Sequence, residues 1–131
     1  MKSVKSVVKN PFNTARPSRP GFYNLLTQAA ADRHKLFMSV VNWGEIYYSV
    51  CRGASVEMAE QKAQEIASML IEIVLADLSQ TRQAASFKAT NKMSYADCFG
   101  AALAKLNNAE FITGDPEFKQ VEKEIKIGWL R

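Results

Sequence analysis

Beyond Gly21 the chain alternates short apolar runs with stretches whose apolar residues recur every three or four positions. Leu36-Phe-Met-Ser-Val-Val41, Ile71-Glu-Ile-Val-Leu75, Ala109-Glu-Phe-Ile-Thr113 and Ile125-Lys-Ile-Gly-Trp-Leu130 are the runs, and their length and β-branched content predict strands. Helical periodicity lies between them. A short helix is expected over 22–33 with Leu25, Leu26 and Ala29 inward. Asn42 is expected to cap a second helix through about Arg52, stopped by Gly53. Ser55 starts a third, in which Ala59, Ala63, Ile66, Ala67 and Leu70 form one core face. Two more follow, from Leu78 to Thr90 and from Ser94 to Leu106, and Pro116 opens a last helix to about Glu124.

Strands separated by helices imply βα units, hence a parallel sheet covered on both faces. Residues 1–20 are poorer in signals. Pro11, Pro17 and Pro20 interrupt any helix, although Val4 to Val8 suits a short strand. We therefore divide the chain into an atypical basic segment, 1–20, and a domain over 21–131.

Composition adds bounds. At 131 residues, with 47% hydrophobic and 23% charged content, the chain is one globular domain with a sizeable core. The net charge of +4 is lopsided. Lys2, Lys5, Lys9, Arg16 and Arg19 precede the first acid, Asp32, while the other 12 bases face 13 acids. Such an arm is expected either as a solvated tail or as a contact for RNA phosphates. The single histidine, His34, argues against a His-based zinc site or a His-dependent triad. Cys51 and Cys98 have no metal-ligand spacing and fit a reducing cytoplasm. No apolar run approaches the roughly 20 residues that span a bilayer, so no membrane role is expected. No Walker or G-x-G-x-x-G loop is present, which argues against a nucleotide-binding domain.

The candidate chemistry lies in three acids: Glu45, Asp97 and Asp115. Each falls at an expected helix start, and two follow a strand directly. In an open parallel sheet, strand ends and helix starts share one edge, where sites form. Carboxylates gathered there suit Mg²⁺, which takes oxygen ligands and retains waters. Each acid also has a structural explanation. Glu45 meets the positive end of a helix dipole. Ser94-x-x-Asp97 has the form of a capping box, and Asp115 before Pro116 that of an N-cap. The functional reading rests on all three together, with Thr113 as a hydroxyl neighbour and Gly114 as a point of close backbone approach.

From about Phe22 to Leu130 the chain resembles the PIN domain, especially the VapC-like toxins of toxin–antitoxin pairs. The matching pieces are Phe37-Met-Ser-Val-Val-Asn-Trp-Gly-Glu-Ile-Tyr-Tyr48, Met93-Ser-Tyr-Ala-Asp-Cys-Phe-Gly-Ala-Ala-Leu-Ala104 and Phe111-Ile-Thr-Gly-Asp-Pro-Glu-Phe118, in order and suitably separated. The resemblance implies a Rossmann-like three-layer α/β/α sandwich with a central parallel sheet. It implies a Mg²⁺- or Mn²⁺-dependent endoribonuclease, the toxin of a type II (VapBC-like) system, with an RNA substrate, a cognate antitoxin and a cytoplasmic homodimer. Carried over by motif, Glu45, Asp97 and Asp115 are the catalytic and metal-site acids and Thr113 their polar neighbour. Glu117 belongs to the same motif.

The beginning departs from that pattern. The family opens with a hydrophobic strand ending in Asp, then Ser or Thr and an apolar helix. Here that place holds Val7-Val8-Lys9-Asn10-Pro-Phe-Asn13, followed by a basic, Pro-rich stretch. Asn10 or Asn13 is then expected to stand in for the missing acid, unless the site works with three acids. Impaired activity is one expectation. The alternative is a degenerate, non-catalytic PIN module that binds an antitoxin or RNA.

Overall fold

A computed structural model describes residues 4–11 and 19–130. Val4–Val8 forms β1, and it is the middle of five parallel strands. The others are β2 (His34–Ser39), β3 (Ile71–Val74), β4 (Glu110–Thr113) and β5 (Lys126–Trp129), in the spatial order β3-β2-β1-β4-β5. Val7 lies opposite both Phe37 and Phe111, and Val8 opposite Ile112. The short strand expected at Val4–Val8 therefore fills the central slot. Ser6, Val7 and Val8 are buried, so this part of the basic segment is core and not a solvated tail.

Five helices cover the sheet: α1 (Arg19–Ala30), α2 (Val40–Gly53), α3 (Val56–Ser68), α4 (Leu78–Thr90) and α5 (Tyr95–Leu106). A 3₁₀ segment, Pro116–Val121, follows β4. Alternating strand residues feed two cores. Val7, Phe37 and Phe111 face one side, with Ala84 and Phe87 of α4 and Ala101 and Leu103 of α5. Val8, Leu36, Met38 and Ile112 face the other, with Ala29 of α1, Ile46 of α2 and Ile66 of α3. The result is the expected three-layer α/β/α sandwich.

Several boundaries differ from the sequence expectation for identifiable reasons. The N-cap of α2 is Ser39, not Asn42; its Oγ accepts from Val41 N–H at 3.3 Å. Glu45 consequently sits in the second turn rather than the first. The α3 face is narrower than its periodicity suggested: Ala59 and Ile66 are buried, whereas Ala67 and Leu70 are exposed. The expected helix after Pro116 tightens to 3₁₀, with Phe118 N–H donating to Asp115 O at 3.2 Å.

The helices leading into β2 and β4 end in one motif, without glycine. Asp32 (φ 61°) follows α1 and Asn108 (φ 49°) follows α5, both left-handed. Arg33 N–H then reaches Gln28 O at 2.9 Å and Asp32 N–H reaches Ala29 O at 3.0 Å. Ala109 N–H reaches Ala104 O at 2.9 Å and Asn108 N–H reaches Lys105 O at 3.2 Å. These are Schellman closures, for which Asn and Asp are the tolerated non-glycine residues. They turn the chain into the two strands that flank β1.

Candidate functional site

The strand order reverses at β1. Its chain continues to β2 on one side, while β4 pairs on the other. The carboxyl ends of β1 and β4 therefore bound the crevice where open α/β sheets bind ligands. Lys9 leaves β1 there. By register it stands level with Ser39 and Thr113, two residues beyond the paired Val7–Phe37 and one beyond the paired Val8–Ile112.

Three segments deliver acids to this edge. Asp97 lies in the first turn of α5, whose N-cap Ser94 accepts from Asp97 N–H at 3.1 Å. Only that half of the expected capping box forms; the Asp97 carboxylate turns to Lys9 instead. Asp115 caps the 3₁₀ segment, its Oδ1 accepting from Glu117 N–H at 2.9 Å. Thr113, at the end of β4, accepts from Asp115 N–H at 3.0 Å through Oγ1 and so fixes the turn carrying that acid. A Cβ at Gly114 would lie 3.4 Å from Leu130 O, an ordinary contact, so this turn does not depend on glycine for close approach.

Asp97, Asp115 and Glu117 come together, each offering a carboxylate oxygen within 4.8 Å of the others. Asp97 is buried, Asp115 half-buried and Glu117 exposed, so the cluster opens to solvent on one side. Glu45 approaches from α2 but meets the Lys9 ammonium, at 3.7 Å from Oε1. Lys9 Nζ also makes close ionic contact with Asp97 Oδ1. That oxygen is buried and, among the described residues, meets no donor other than this ammonium. Burial alone would lower the Lys9 pKa; its hydrogen bond to Asp97 and the charges of Asp97, Glu45 and Asp115 outweigh burial and hold it above its ordinary value.

Lys9 is the residue that sequence reasoning missed. Asn10, one candidate for the missing acid, is exposed, and Asn13 lies outside the described residues. Asn42 was also misread. Its side chain is buried, and Nδ2 donates to Ala96 O at 2.8 Å, tying α2 to the first turn of α5 beside Asp97. Below the site, Ser39 Oγ donates to buried Gln80 Oε1 at 2.7 Å, and Gln80 Nε2 donates to Leu75 O at 3.2 Å. These polar links fix where the helix starts stand relative to the sheet.

As donors, the three clustered carboxylates fit a hard divalent cation: all are oxygen ligands, and the opening leaves room for water. Asp97, Asp115 and Glu117 are the residues that would hold it. Among the described residues, no helix is long and apolar enough to cross a membrane. Cys51 and Cys98 are unpaired.

Comparison with solved structures gives the same architecture. VapBC2 from Rickettsia felis, bound to a promoter DNA fragment, superposes with a TM-score of 0.76 at 18% identity, covering 98% of this chain and 100% of that one. DNA-bound VapBC from Salmonella typhimurium gives 0.73 at 16% identity, covering 99% and 100%. Mycobacterium tuberculosis VapC20, a Sarcin-Ricin loop cleaving toxin, gives 0.67 at 14% identity, covering 89% and 94%. No curated protein matches the sequence. The family model of the PIN domain matches residues 18–124, most of the chain. By fold and by that match, the chain belongs to the PIN domain family.

Proposed function

We propose that the chain is the toxin of a type II, VapBC-like pair, a Mg²⁺- or Mn²⁺-dependent endoribonuclease with reduced activity. The observation that carries this reading is the meeting of Asp97, Asp115 and Glu117 at the switch point of a PIN fold. Solved structures with this fold include VapBC complexes and a Sarcin-Ricin loop cleaving toxin, which supports an antitoxin partner and an RNA substrate.

In this reading Asp97, Asp115 and Glu45 are the catalytic acids, with Glu117 as a further ligand and Thr113 as the group that positions Asp115. A divalent ion held by such acids supplies charge for a scissile phosphate and lowers the pKa of a bound water. The chain's own groups do the rest. Thr113 and Ser94 hold the turns that aim Asp115 and Asp97. In this reading Glu45, partly exposed on α2 and 3.7 Å from the Lys9 ammonium, would accept a proton from water. The half-exposed apolar surface of Trp43, Tyr47 and Tyr48 on α2 supports a homodimer contact; Trp43 and Tyr47 stack at 5.5 Å and Arg52 covers Tyr48 at 5.1 Å.

One observation favours a second reading, a non-catalytic module that binds an antitoxin or RNA: Lys9 already engages Asp97 and Glu45. Purified protein assayed on structured RNA with Mn²⁺, beside Asp97→Asn and Asp115→Asn, separates the two. Cleavage that is slow in the parent and lower by about a hundredfold or more in both variants supports the nuclease. Equal cleavage in all three points to a contaminant and leaves the binding module.

A further inference from the structure

We propose that the Lys9 ammonium is a built-in cation of the acidic cluster, competing with a divalent metal for Asp97 and Glu45. The inference rests on reading that cluster as a metal centre and adds a specific competitor to it. Three observations carry it. Lys9 Nζ sits against Asp97 Oδ1 and lies 3.7 Å from Glu45 Oε1. The Asp97 side chain is only 4% exposed, and among the described residues the contacted oxygen has no donor besides this ammonium. Asp97 is also the innermost of the three carboxylates that converge within 4.8 Å. The most desolvated candidate ligand is therefore already neutralised from within the chain.

The consequence follows from charge and geometry. A divalent ion that takes Asp97 must break the contact with Lys9 or share the carboxylate with an ammonium. In the first case the ion pair is lost; in the second, like charges stand a few ångströms apart. Both lower metal affinity. A unit charge about 4 Å from a partly solvated ion alters its affinity by at least about tenfold, even at a high effective dielectric. Lys9 can yield because its stem is flexible and its side chain is 27% exposed, so the displaced ammonium has a path to water. The cluster would then be poised to exchange one cation for another. Asp115 and Glu117, toward solvent, would meet the incoming ion first, and Asp97 would join only as Lys9 withdraws.

The test measures metal binding rather than catalysis. Mn²⁺ is titrated calorimetrically into the full chain, into Lys9→Met and into Lys9→Arg. The expected result is at least about tenfold tighter binding to Lys9→Met than to the parent, with Lys9→Arg no tighter than the parent. Mn²⁺ affinity that is equal in parent and Lys9→Met would overturn the competition while leaving the metal centre standing. Absence of binding in every protein, at millimolar Mn²⁺, would overturn both.

A measurement on the unaltered chain guards against Lys9→Met failing to fold. In ¹⁵N spectra tuned to lysine ammonium groups, Lys9 should give a protected signal without metal, assigned by its loss in Lys9→Arg. Mg²⁺ should shift or abolish that signal in step with binding. Mg²⁺ binding that leaves the Lys9 signal unmoved would refute the proposal, as would a Lys9 ammonium in free exchange before metal is added.

Discussion

The Lys9–Asp97 contact predicts an asymmetric pair of stability losses. Lys9→Met strands a carboxylate that is 4% exposed, with no other donor at Oδ1 among the described residues. Removing one partner from a fully buried ion pair costs about 3–5 kcal/mol, because the survivor stays charged and desolvated. Here the cluster has an open side, so a smaller loss of about 2–3 kcal/mol is expected. Asp97→Asn is different. It leaves an ammonium that is 27% exposed, retains Glu45 at 3.7 Å and can swing into water. Its cost should be about 1 kcal/mol. The double variant Lys9→Met/Asp97→Asn removes both charges and should lie well below the sum of the singles, since neither group is left orphaned. The assay is urea unfolding of the four proteins in EDTA, followed by far-ultraviolet circular dichroism and fitted with a common slope. Losses of less than about 0.5 kcal/mol in both singles, with an additive double variant, would show that the pair contributes nothing and would refute the reasoning.

Three further outcomes follow from the scaffold around the site. Gly100→Ala places a Cβ 2.8 Å from the buried Phe111 ring and 3.1 Å from Asn42 Oδ1, so overpacking should exceed the helix-propensity gain and destabilise by about 1–2 kcal/mol; a stabilised Gly100→Ala in chemical unfolding would contradict this. Ser39→Ala removes both the N-cap of α2 and the donor to buried Gln80, an expected loss of about 2 kcal/mol that Ser39→Thr should partly restore. Burial pushes the His34 pKa below 6.5, against the raising effect of Glu110, so the native state favours the neutral ring. Its contribution to stability is therefore full above pH 6.5 and is lost as pH falls below it; His34→Gln should remove that part of the slope of unfolding free energy against pH.

Most of the architecture was legible because local pattern and tertiary fold agree. The runs at Leu36, Ile71, Ala109 and Ile125 each contain a strand, although Val40 and Val41 at the end of the first belong to α2. Val4–Val8 was legible as a strand, and the family resemblance offered it the central slot that it fills; its own residues did not. Five residues in a basic, Pro-rich context carry no information about which strands they join. That information lies in the partners, Phe37 and Phe111 among them. Helix ends were harder wherever a side chain substituted for the usual signal. Asp32 and Asn108 close α1 and α5 without glycine, and Ser39, embedded in an apolar run, caps α2. Asn42 has the right identity for a cap, but it is the third residue inside α2, where its Nδ2 donates to Ala96 O.

The acids were legible one by one, through their positions before helices. Lys9 was not. A lysine after two valines reads as the solvated end of a strand. Only the folded chain brings Glu45, Asp97 and Asp115 from three distant segments to its ammonium. A Pro at position 116 made Asp115 look like a cap, which it is; it is also a member of the cluster, and nothing local distinguishes one role from both.

Fold and chemistry make separable demands on the first strand. The sheet needs Val7 and Val8 to fill its two faces and Ser6 to pair between β2 and β4. It needs nothing particular from position 9, where the chain leaves the ladder at the switch point. The sign of a charge there sets the character of the crevice. Glu45, Asp97, Asp115 and Glu117 bring four formal negative charges, and Lys9 removes one. The remainder still attracts cations, most strongly toward Asp115 and Glu117, where the cluster is open. The innermost carboxylate is engaged. A chain arranged in this way retains the PIN scaffold, and under the proposed reading the occupancy of a metal at the cluster would depend on whether Lys9 lets go of Asp97.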